Sequence, residues 1–197
     1  MRRLGFAWSG LLAVLAACTH NPPPATLPAA PPPKIVTLCG ADSPLAAADR
    51  KTVCDRRAAL GETDLPDAGG ARVIVIPAGQ AALSIRVVGG AMTVRRLAMG
   101  RRDIDRTVAL SDAERATLRD AGAAAWASLG PTADAPTLVP CKAPNYIAAE
   151  TALNGTTKFA VSHCVALKPL RDLADAYLNI ASEKVPELKQ GLDQSLD

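Results

Sequence analysis

Residues 86–106 hold Arg86, Arg95, Arg96, Arg101, Arg102 and Arg106 against only Asp103 and Asp105. A guanidinium is a planar fork of donors that binds phosphate or carboxylate bidentately, so arginines gathered on one face predict a site for an anionic partner. The alternative is a solvated strand face, because outward charges keep sheets soluble. Asp103 and Asp105 flank a turn and sit among cations that repel a metal, so no metal site is expected. Interleaved aromatics are missing, which argues against nucleic acid.

The chain has two histidines. His20 lies among prolines that fix no geometry for it. His163 follows Ser162 in a strand pattern, and successive strand residues point to opposite faces, so the two do not form a base and nucleophile pair. A hydrogen-bonded histidine at the sheet surface is expected, with a hydrolase acting through His163 as the last of the alternatives. Neither C-x-x-C nor H-E-x-x-H occurs, and there is no P-loop or G-x-G-x-x-G. Redox-thiol, zinc-hydrolase and phosphate-cradling chemistry therefore lack their usual spacing. We expect a protein that is not an enzyme and needs no cofactor.

The cysteines point to a compartment. Arg2 and Arg3 precede an uncharged stretch from Leu4 to Ala17, the length of a signal-peptide core and shorter than the roughly 20 residues of a membrane span. It ends in Leu15-Ala16-Ala17-Cys18, which resembles the lipobox of bacterial lipoproteins. That resemblance implies cleavage before Cys18 and lipidation of Cys18. Thr19 after it, rather than aspartate, implies sorting to the outer membrane with the protein facing the periplasm. Removing residues 1–17 leaves 20 basic side chains against 19 acidic ones, so no global charge favours a polyanion. Of five cysteines, Cys39, Cys54, Cys141 and Cys164 remain, an even set for an oxidising compartment. Three pairings are possible, and the local ones, Cys39–Cys54 and Cys141–Cys164, are favoured.

The elements that must position these residues follow a sharp compositional step. Seven of the 16 prolines fall between residues 19 and 34. Residues 18–34 therefore read as the lipidated cysteine and a polyproline tether, reaching roughly 50 Å at about 3.1 Å per residue. Residues 35–190 read as one globular domain and 191–197 as a frayed tail. Ser43 and Pro44 open a predicted helix that stops at Gly61. Val73–Ile76 is a short apolar strand. Leu83, Ile85 and Val87 alternate with polar residues, and Gly89-Gly90 is a two-residue hairpin turn that pairs Val87 with Met92 and Ile85 with Val94. A bulge at Arg95-Arg96 is expected to pair Leu97 with Leu83 and return Met99 to the core. A third strand follows, with Ile104, Val108 and Leu110 inward.

Ser111 and Glu114 form a capping box for a helix to about Leu129, whose Ala121, Gly122 and Ala125 would let it sit close to a sheet. Residues 131–144 read as a loop. Asn154-Gly155 predicts a second hairpin that pairs Ala148 with Val161 and Tyr146 with His163. The last helix starts near Pro169, shows an apolar stripe of Leu170, Leu173, Ala174, Tyr177 and Ala181, and ends at Pro186.

Together these predict an α+β domain: an antiparallel sheet built from hairpins, two or three helices packed on one face, and two disulfides. The expected function is that of a lipid-anchored, non-catalytic envelope protein that docks another envelope protein or an anionic envelope polymer. The alternative is a binder of a small anionic ligand, a glycan or lipid headgroup, through the arginine hairpin.

Overall fold

A computed structural model describes residues 37–79, 81–129, 132–134, 145–163 and 167–189. The lipobox, the proline tether, the tail 191–197, and Cys141 and Cys164 lie outside them. The elements run α1 (Ala47–Ala59), β1 (Gly70–Ile76), β2 (Ala82–Val88), β3 (Ala91–Ala98), β4 (Arg101–Ala109), α2 (Asp112–Leu129), β5 (Thr132–Asp134), β6 (Tyr146–Leu153), β7 (Thr156–His163) and α3 (Lys168–Lys184). They form an α+β fold around a seven-stranded sheet in the order β4-β3-β2-β1-β6-β7-β5. Neighbours are antiparallel except β5, which pairs parallel with β7 in a stretch expected to be loop. None of the described helices is long and apolar enough to cross a membrane.

Both tight turns set the registers that their residues dictate. Gly89 and Gly90 have φ of 57° and 84°, Asn154 and Gly155 of 51° and 73°, the left-handed values that suit the strand twist of a hairpin. Val87 faces Met92 and Ile85 faces Val94; Ala148 faces Val161 and Tyr146 faces His163. The capping box forms as well: Ser111 N–H donates to Glu114 Oε2 at 2.7 Å, and Glu114 N–H donates to Ser111 Oγ at 3.3 Å.

The helices divide between the two faces, contrary to the expectation of one covered face. Val73, Ile85, Val94 and Ala149 pack with Leu118 and Trp126 of α2 and Leu170 and Tyr177 of α3. Ile74, Ile76, Phe159 and Val161, on the opposite side, pack with Leu38, Leu45, Val53 and Leu60 of the α1 segment. Strand residues alternate, and in β1 both sets are apolar, so both faces need a cover.

This second cover also corrects the expected bulge. β2 and β3 pair without a shift, so Leu97 faces Ala82 and is buried on the α1 face, while Met99 is 95% exposed at the next turn. The irregularity falls instead between β3 and β4, at Arg96/Leu97. α1 starts later than expected, with Ala46 rather than Ser43 at its N-cap; Ser43 Oγ accepts a bond from Leu45 N–H at 3.5 Å. It ends as expected at Gly61, whose φ of 71° and the bonds Gly61 N–H to Ala58 O and Glu62 N–H to Arg57 O make a Schellman stop. Cys39 and Cys54 are joined by a disulfide of 2.04 Å that ties the preceding turn to α1. Beyond α3, a single turn over Pro186–Leu188 buries Leu188, so the chain stays packed past Pro186.

Candidate functional site: the arginine-bearing edge of the sheet

β4 is the outer strand, and the six arginines lie on β2, β3 and β4. Arg86 and Arg95 point to the α1 face, where the connection from α1 to β1 crosses the sheet. That connection supplies acceptors. Arg95 donates to Gly61 O at 2.8 Å and lies 3.3 Å from Glu62 Oε1; Arg86 is 3.7 Å from Glu62 Oε2; Arg102 donates to Leu60 O at 3.2 Å. Asp105 sits between Arg95 at 3.2 Å and Arg102 at 3.3 Å. On the other face Arg96 meets Asp103 at 2.7 Å, and that guanidinium holds the Asp103 carboxyl below its usual range. Arg106 is 3.6 Å from Glu187. Among the described residues Arg101 alone of the six has no carboxylate within ion-pair distance. Asp103 and Asp105 thus each pair with arginines.

Behind this edge lies a charge network that the residue pattern did not single out. Arg72 of β1 is fully buried; its Nη1 meets Glu62 at 3.0 Å and donates to Thr63 O at 2.7 Å, and its Nε donates to Glu150 of β6 at 2.9 Å. Arg57 of α1 pairs with Glu150 at 3.5 Å and also with Asp64. Arg72 and Glu150 are register partners. A readable signal existed: each is a charge inside an apolar strand run, and two opposite charges that must both be buried must meet.

His163 lies beneath α1, with Nδ1 3.3 Å from Asp49 Oδ2 and its ring 5.5 Å from that of Tyr146. The Tyr146 hydroxyl donates to Asp49 Oδ1 at 3.3 Å, and burial raises its phenol pKa. Ser162 points to the opposite face, where its Oγ accepts a bond from Leu167 N–H at 3.2 Å. The two therefore do not converge, as strand alternation requires. No protein-family model and no curated protein matches the chain.

Proposed function

We propose that the chain is a lipid-anchored docking module of the bacterial cell envelope, held at the outer membrane through Cys18 and acting without catalysis on another envelope protein. The observation that carries the docking step is β4. It is a nine-residue edge strand with Arg101, Arg102 and Arg106 exposed along it. An edge strand presents backbone donors and acceptors to an added strand, and charges on it restrict which strand is accepted. The partner is an extended acidic segment, whose carboxylates meet Arg101 and Arg106 while its backbone pairs with β4. Arg95 and Arg86 take no direct part; they anchor the edge to Glu62.

In-cell cross-linking of the full chain tests this, with Arg101→Glu and Arg106→Glu combined. Arg95 is left alone, since a carboxylate there would face buried Glu62. A defined envelope protein captured by the parent and reduced at least about tenfold in the variant, for two lost charge pairs, supports the reading. Capture that is unchanged refutes it, and retention of an envelope glycan or lipid headgroup with no protein partner would replace it by the small-ligand alternative.

A further inference from the structure

A cleft of about 460 Å³ lies on the other face, between α2 and the end of the sheet where β1, β2 and β6 meet. Small-ligand sites span roughly 300–1,000 Å³. Its walls are short and apolar: Ala71, Val73 and Ala152 from the sheet, Leu118 and Gly122 from α2. A Cβ at Gly122 would meet nothing within 4 Å, so the small residues of α2 leave a gap rather than bring the helix against the sheet. Trp126 bounds the cleft and is held there by its indole N–H, which donates to Thr151 Oγ1 at 3.0 Å.

Besides Thr151 and the buried Arg72 and Glu150, two polar features break the apolar lining. Tyr177 of α3 lines the cleft and is 3% exposed. Burial alone accounts for the raised pKa of this phenol. At the rim, one helical turn apart, stand Arg115, which pairs with the exposed Asp112, and Arg119, 3.9 Å from the exposed Asp120.

We propose that this cleft binds a single-chain anionic amphiphile of the fatty-acid class. Its aliphatic chain lies against Gly122, Ala71 and Ala152, an oxygen accepts from the Tyr177 hydroxyl, and its head meets Arg115 and Arg119. The site is separate from the β4 edge and does not depend on the docking reading.

A diazirine-bearing palmitate supplied to cells producing the full chain tests it, with the cross-linked peptides mapped by mass spectrometry. Label is expected on α2 and α3, equally in the parent and in Cys18→Ser. Gly122→Leu, which fills the gap, should reduce it at least tenfold. Tyr177→Phe, which keeps the ring, should reduce it roughly three- to tenfold for one lost hydrogen bond. Label that vanishes in Cys18→Ser belongs to a covalent lipid and overturns the proposal. So does label that is absent from α2 and α3 in the parent, or undiminished in both Gly122→Leu and Tyr177→Phe.

Discussion

Replacing Arg72 with methionine removes the cation between two buried carboxylates. The Arg72 and Glu62 side chains are wholly buried and Glu150 is 5% exposed. Methionine keeps the length of the stem but leaves Glu150 with Arg57 alone at 3.5 Å and Glu62 with Arg95 at 3.3 Å and Arg86 at 3.7 Å. Breaking a buried pair by removing one partner costs roughly 3–5 kcal/mol. The surviving contacts are longer than the 3.0 Å and 2.9 Å ones lost, so they soften the loss without abolishing it, and about 3 kcal/mol is expected. Against a total stability of roughly 5–15 kcal/mol this is a large fraction. Urea unfolding followed by far-UV circular dichroism should show a lower midpoint at an unchanged slope. Neutralising the carboxylates as well, in Arg72→Met/Glu62→Gln/Glu150→Gln, should recover much of the loss, because the penalty comes from stranded charge rather than from missing attraction. A loss below about 1 kcal/mol, or a triple variant no better than the single one, would refute the reasoning.

Three further outcomes are expected. The Cys39–Cys54 disulfide closes a loop with a sequence separation of 15, so Cys39→Ala/Cys54→Ala should lose about 3 kcal/mol of chain-entropy stabilisation in chemical denaturation. Gly122→Ala should stabilise the protein by roughly 0.5–1 kcal/mol in thermal melts, since its methyl group enters open space and the unfolded chain loses freedom. The Ser111 backbone N–H, followed by the Lys184 ammonium, lowers the Glu114 pKa from 4.5 to about 2. A depressed carboxyl pKa contributes stability that is present above about 4.5 and lost as pH falls through about 2, so Glu114→Gln should flatten the melting-temperature profile across that window. A carboxyl titration of Glu114 by NMR with a midpoint near 4.5 would count against it.

Much of the local architecture is written in short segments. The pairs Val87–Met92 and Tyr146–His163 follow from two-residue turns whose glycines tolerate positive φ, the Ser111–Glu114 box follows from a three-residue spacing, and the buried stripe of α3 follows from its period. Each needs only residues that are near in the chain. The sheet order does not. That β1 lies against β6, so that Arg72 meets Glu150, depends on a pairing across 78 positions. The face of Leu97 shows the difference. Read beside its neighbours it needs a bulge to reach the core shared with Ile85 and Val94, yet plain alternation places it under α1, because the opposite face of the sheet is also covered. The arginines follow the same logic: their types and spacing fit either an anion-binding face or a solvated one, and whether an arginine is free depends on where the distant carboxylates Glu62 and Glu187 fall. Periodicity and turns act through local sterics and are readable one segment at a time. Burial and charge pairing depend on what arrives from elsewhere in the chain, and only the tertiary structure decides that.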